Sequence, residues 1–168
     1  IIDQHALHER ILFEELKARL SERGLPGQTL LAPEVVDAPA DWVQQIEQFR
    51  DTFRRLGFEA SAFGPTSIAI HACPTMLKQR EVTRCFVELL EQIMESGDTS
   101  RATDIFDDLL HVLACRAAVM AGDPLTEAEM NDLLDRRDRM ALHVTCPHGR
   151  PNTIALGMTE LEKQFKRR

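Results

Sequence analysis

No apolar run in these 168 residues approaches the roughly 18 that a membrane span needs, and the start carries no basic segment, apolar stretch and small-residue cleavage site. A membrane protein and a secreted precursor are therefore not expected. Cysteine is sparse: Cys73, Cys85, Cys115 and Cys146 lack the dense spacing of a small disulfide scaffold, which fits a reducing cytoplasm. Positive charge is also short, with 20 Lys and Arg against 27 Asp and Glu and a net charge of −7. Holding DNA by counterion release requires several cationic side chains on one face, so a DNA substrate would have to be delivered by something else. There is no opening Met. The chain begins on the β-branched pair Ile1-Ile2 with no polar lead-in, as if partway through a strand, and reads as a fragment of a longer protein. No internal repeat is present.

Hydrophobic residues make up 43% of the chain, enough at this length for one domain or two small lobes around a real core. Asp3 can cap a helix over residues 4–23, where Leu7, Ile11, Leu12, Leu16 and Leu20 recur at helical spacing before the stop at Gly24. Residues 29–36 read as a strand whose Pro33 favours a sheet edge. A helix over 41–56 ends at Gly57, and 58–63 and 67–72 read as strands paired around Gly64-Pro65. Helices over 81–95 and 102–121 flank the breaker-rich stretch 96–100. A capping box at Thr126 to Glu129, a strand-like stretch over 141–145 and a second capping box at Thr159 to Glu162 complete the pattern. The expected class is α/β or α+β.

Three short segments carry the residue types of a metal site. In Asp3-Gln4-His5-Ala6-Leu7-His8-Glu9, His5 and Glu9 are four apart and project from one helix face, with Asp3 just upstream. Alone, this reads as an N-cap aspartate and a surface His–Glu pair, and the motif needs company to mean more. Cys146-Pro147-His148-Gly149-Arg150-Pro151 places a thiol and an imidazole two residues apart in a proline-stiffened loop, a donor pair that suits zinc. A buried Cys beside a polar His is the bland alternative. Cys115, between Ala114 and Arg116, has apolar sequence neighbours that would suit a core position as well.

Taken together, these segments resemble the endonuclease-competent MutL family of DNA mismatch-repair proteins. Residues 3–14 are similar to its DQHA(x)2E(x)4E signature, with Asp3, Gln4, His5, Ala6, Glu9 and Glu14 in place; Ala114-Cys115-Arg116, the Cys146–Pro151 segment and Phe165-Lys166-Arg167 resemble three further motifs in the same order. The resemblance implies a C-terminal domain that nicks duplex DNA and forms a homodimer, following an ATPase domain upstream. It further implies a zinc site with His5, Glu9, Cys115, Cys146 and His148 as ligands, Asp3 as the essential carboxylate and Glu9 shared with catalysis. So many ligands would suit two ions about 3.5–4 Å apart. The family uses manganese for nicking and keeps zinc as a structural or regulatory ion. Arg116 and Arg150 would contact phosphate or orient a ligand, ordinary salt bridges being the equal alternative. Glu14 is expected to be structural, and His8, His71, His111 and His143 match no motif.

Gln28-Thr29-Leu30-Leu31-Ala32-Pro33 resembles the QxxLxP motif by which MutL proteins bind the replication sliding clamp, through Gln28, Leu31 and Pro33. A clamp encircling DNA would supply the delivery that the acidic charge withholds. The expected organisation is a dimerisation and endonuclease lobe built from residues 1–28 and 100–168, with a regulatory lobe, 29–99, inserted. Ile154, Leu156, Met158 and Leu161 are candidates for the dimer interface or for core packing. The competing reading is a non-catalytic dimerisation and clamp-docking module with a structural zinc.

Overall fold

The structure is a computed structural model that describes residues 1–96, 102–120, 122–140 and 152–166. It divides into two compact units, Ile1–Ile11 with Ala118–Arg168, and Leu12–Ala117. Boundaries expected near 28 and 100 fall inside the second unit. Leu16, Leu20 and Leu25 on one side, and Leu109, Leu110 and Leu113 on the other, are buried in its core. Helix α1, Gln4–Glu22, begins in the first unit and ends in the second.

The second unit combines helices with a three-stranded antiparallel sheet, which makes the fold α+β. Strands β1 (Gly27–Asp37), β3 (Ser67–Pro74) and β2 (Glu59–Ala62) lie in the order β1-β3-β2, so β1 is an edge. The alternation of β3 puts Ile68 and Ile70 into the core at full burial. Phe86 packs there against Phe53, tilted, and Phe58, edge-on, with ring centroids 5.0 and 5.5 Å apart. The helix expected over 41–56 is broken into α2 (Ala40–Gln45), a 3-10 turn at Ile46–Phe49, and α3 (Arg50–Arg55), with Val43, Ile46 and Phe53 all buried in the same core. Gly57, at φ +85°, then reverses the chain where a side chain would meet the carbonyls of Pro26 and Leu25 at 3.2 and 3.3 Å. Helices α4 (Val82–Ser96) and α5 (Ala102–Ala117) close the unit.

Edge strand β1 is irregular. Thr29 pairs with Ala72 and Glu34 with Ile70, so residues 30–33 stand opposite the single residue His71. Pro33, with no N–H to give the ladder, falls inside this bulge. His71 itself bonds Ser61 Oγ at 2.9 Å.

In the first unit the chain start runs antiparallel to residues 152–154: Ile2 bridges Thr153, Ile154 N–H donates to Ile1 O at 2.8 Å, and Asp3 N–H donates to Asn152 O at 2.9 Å. Helix α6, Glu127–Arg139, opens with the expected capping box, Thr126 Oγ1 accepting from Glu129 N–H while the Glu129 carboxylate accepts from Thr126 N–H. Helix α7, Met158–Gln164, starts one residue ahead of Thr159, which therefore lies in the first turn and not at the cap; Glu160 N–H bonds the Gly157 carbonyl at 3.0 Å. Among the described residues the buried cluster here is small, Leu7, Ile11 and Leu133 flanked by Leu125 and Met140. The strand expected over 141–145 and most of the break expected over 96–100 lie outside the described residues.

Candidate metal centre

Asp3 is the N-cap of α1. Its Oδ1 accepts from His5 N–H at 2.9 Å and Ala6 N–H at 3.1 Å, which satisfies two amides that the helix leaves without an internal partner. Its own N–H is held by Asn152, a residue only 3% exposed that follows directly on the Cys146–Pro151 segment. The first motif and the flank of the third are thereby tied together.

His5 and Glu9 share one face of α1, with His5 Nε2 4.0 Å from Glu9 Oε2. His5 Nδ1 lies 2.9 Å from the Val119 carbonyl. A carbonyl only accepts, so Nδ1 carries the proton and, in the neutral ring, Nε2 presents its lone pair on the Glu9 side. Metal-binding histidines are oriented in this way. Glu9 is 4% exposed, and a carboxylate so buried is costly unless it meets a cation or donors. Two donors on one tetrahedral ion lie ~3.4 Å apart for bonds of ~2.1 Å, so the gap closes with a small side-chain rotation. The pair fits zinc in donor type and placement.

The segment that supplies Val119 explains why α5 stops at Ala117, short of the expected residue 121. Val119 gives its carbonyl to His5 and its N–H to His8 Nδ1 at 3.1 Å, while Gln4 Nε2 donates to the carbonyls of Met120 at 3.0 Å and Asp123 at 2.8 Å. These backbone groups are taken by side chains of α1 in place of a helical ladder. Gly122, at φ +90°, completes the turn.

Cys115 sits half-buried in the last turn of α5, in the second unit, within electrostatic reach of Arg116 and Cys85. Burial first, then the charge of Glu88, pushes the Cys85 thiol well above its ordinary range, so it remains protonated. Arg116 grips the Glu88 carboxylate with two nitrogens, Nε to Oε2 at 2.8 Å and a terminal nitrogen to Oε1. The bond to Glu88 is the main reason its pKa is raised. Of its two expected roles, the structure thus shows a salt bridge. Cys146, His148 and Arg150 lie outside the described residues. Among the described residues, no three His, Cys, Asp or Glu side chains gather closely enough to hold a metal.

Residues 1–125 match the family described as MutL C terminal dimerisation domain. The chain belongs to this family. It is 38% identical over 167 residues to the DNA mismatch repair protein MutL of Pseudomonas syringae pv. tomato. The proteins of that name from Pseudomonas aeruginosa strain LESB58 and Pseudomonas putida are 39% and 37% identical over the same length. Each comparison covers 99% of this chain and 26% of the relative, so the chain spans about a quarter of the length of the curated relatives it matches.

Leu31 is fully exposed at 110%, with Gln28 and Pro33 also exposed, so the three QxxLxP positions stand on the surface of β1. Ile154, Leu156 and Met158 are exposed and do not serve as core within the chain; the side chain of Leu161 is not described. No helix among the described residues is long and apolar enough to cross a membrane. Sequence reasoning missed Glu88 and His8. The i,i+3 spacing of His5 and His8 was a visible signal, but the partner that gives it meaning is a backbone amide more than a hundred residues away.

Proposed function

We propose that this chain is the endonuclease and dimerisation region of a MutL-type mismatch-repair protein, nicking duplex DNA by metal-dependent hydrolysis of a phosphodiester bond. The observation that carries the reading is the His5–Glu9 pair, with His5 oriented by the Val119 carbonyl and Asp3 fixed at the same helix end. Bound zinc and manganese would supply a Lewis acid for the phosphate and acidify the attacking water. His5, Glu9, Cys115, Cys146 and His148 would hold them. Only three residues of sequence stand between His148 and Asn152, whose carbonyl holds Asp3. Asp3 would accept the proton from water through Oδ2, since Oδ1 is engaged by two amides. Glu9, nearly closed to solvent, would give a ligand that water does not displace. Arg150 would meet phosphate, while Arg116, committed to Glu88, would hold the end of α5.

Homodimerisation through Ile154, Leu156 and Met158 would cover apolar surface beside a small core. Gln28, Leu31 and Pro33 would dock on the sliding clamp, bringing an acidic domain to DNA, with the ATPase domain upstream. The test is conversion of supercoiled plasmid to nicked circles with manganese, by the chain tethered to the clamp. Nicking that disappears in Glu9→Gln supports the enzyme. A tethered, zinc-loaded dimer that leaves the plasmid intact would hand the reading to the non-catalytic docking module.

A further inference from the structure

Of the four hydrogen bonds that α1 side chains make with Val119, Met120 and Asp123, two converge on Val119. Both backbone polar groups of Val119 are taken by imidazoles one turn apart on α1: the carbonyl by His5 Nδ1 at 2.9 Å and the N–H by His8 Nδ1 at 3.1 Å. An N–H only donates, so His8 Nδ1 is an acceptor, the opposite state from His5 Nδ1. Gln4 fixes the far side of the same loop through Met120 and Asp123, and Asp123 Oδ2 accepts from Met120 N–H at 3.1 Å. Three side chains of α1 hold the loop: Gln4 beyond Val119, and His5 and His8 on Val119 itself.

We infer that His8 is a positioning residue for His5: by holding Val119 N–H it fixes the direction of the Val119 carbonyl, and so the tautomer and ring orientation of the zinc ligand. His8 makes no claim on the metal itself. Without its bond, Val119 can turn about its flanking dihedrals, and the carbonyl that keeps the proton on His5 Nδ1 is no longer held in line. The tautomer with Nε2 protonated, whose lone pair faces away from Glu9, then becomes populated. The inference rests on the reading of His5 as a metal ligand, and its chemistry is specific about atoms. An Asn at position 8 places its Oδ1 about where His Nδ1 stood, whereas Gln reaches to the position of Nε2 and Leu offers no acceptor.

The experiment compares His8→Asn, His8→Gln and His8→Leu in the 168-residue chain. Nitrogen-15 imidazole spectra of the zinc-free protein report the His5 tautomer, and competition with a chelating dye reports zinc affinity. His8→Asn should retain the Nδ1–H tautomer and wild-type affinity. His8→Gln and His8→Leu should show a mixed tautomer and a zinc affinity weakened by ~10–100-fold, the usual effect of losing a group that orients a ligand. Asn and Gln variants that fold alike and have the same tautomer and affinity would overturn the inference, because a merely structural role does not distinguish the two acceptor positions. His5→Ala serves as the control on the underlying reading. If it leaves zinc affinity unchanged, His5 is no ligand, whereas a reduced affinity together with indifferent His8 variants sinks only the positioning role.

Discussion

Replacing Asp3 separates a helix cap from a catalytic carboxylate, because the two roles use the side chain differently. The cap needs an acceptor at Oδ1 for the amides of His5 and Ala6 at 2.9 and 3.1 Å, which the amide oxygen of Asn supplies. Asp3→Asn should therefore lose only the favourable meeting of charge and helix dipole, ~0.3–1 kcal/mol. Asp3→Ala loses the cap as well, a further ~1 kcal/mol. In a chain of this size each kcal/mol corresponds to ~2–4 °C of melting temperature, so the Asn variant should melt within a few degrees of wild type and the Ala variant somewhat lower. Activity should follow a different order. If Asp3 takes the proton from the attacking water, both variants lose it alike, and manganese-dependent nicking should fall by more than ~10²-fold, ~2.7 kcal/mol of barrier, to below detection. That exceeds anything the cap can explain. Plasmid nicking and thermal melting on the same preparations decide the matter, with dimerisation checked by sedimentation. Wild-type nicking by a folded, dimeric Asp3→Asn protein would refute the reasoning and leave Asp3 as a cap alone.

Leu31→Ala, or Gln28→Ala with Pro33→Ala, should weaken binding to the sliding clamp while stability stays within ~0.5 kcal/mol, since Leu31 is fully exposed; unchanged affinity by calorimetry makes the segment a plain edge strand. Cys146→Ala or His148→Ala should lower bound zinc, measured by plasma emission spectrometry, and equal stoichiometry in both would remove the segment from the site. Gly57→Ala should destabilise by more than ~1 kcal/mol in urea unfolding, because φ is +85° and the new carbon meets two carbonyls at 3.2 and 3.3 Å; a neutral effect would contradict the close approach. The Glu129 carboxyl is held below its ordinary value by bonds from Thr126 N–H and hydroxyl, so its stabilisation of α6 is present above the ordinary glutamate range and is lost as pH falls through the lowered value. The melting difference between wild type and Glu129→Gln should accordingly shrink toward zero on acidification below pH 4.5, and a difference that persists at the acid end would show that the charge is not what caps the helix.

The sequence by itself determined what repeats locally or is carried by the identity of a side chain. The apolar spacing of Leu7, Ile11, Leu16 and Leu20 specifies α1, Asp3 and Thr126 announce their caps, and Pro33 marks an edge. These depend on neighbours within a few residues, so periodicity and cap chemistry suffice. The donor types of the candidate metal site were legible for the same reason. What only the tertiary structure decided involves backbone groups meeting side chains distant in sequence. Helix α5 stops at Ala117 because Val119 and Met120 bond His5, His8 and Gln4, and no local pattern encodes that exchange. The Glu88–Arg116 pair likewise needed the packing of α4 against α5, since a lone arginine in sequence is compatible with phosphate and carboxylate alike. The bulge that lifts Leu31 clear of the sheet required the register of β1 on β3, a long-range pairing in which four residues oppose one. Local rules say which atoms can bond. Only the fold brings the partner within 3 Å and so chooses among them.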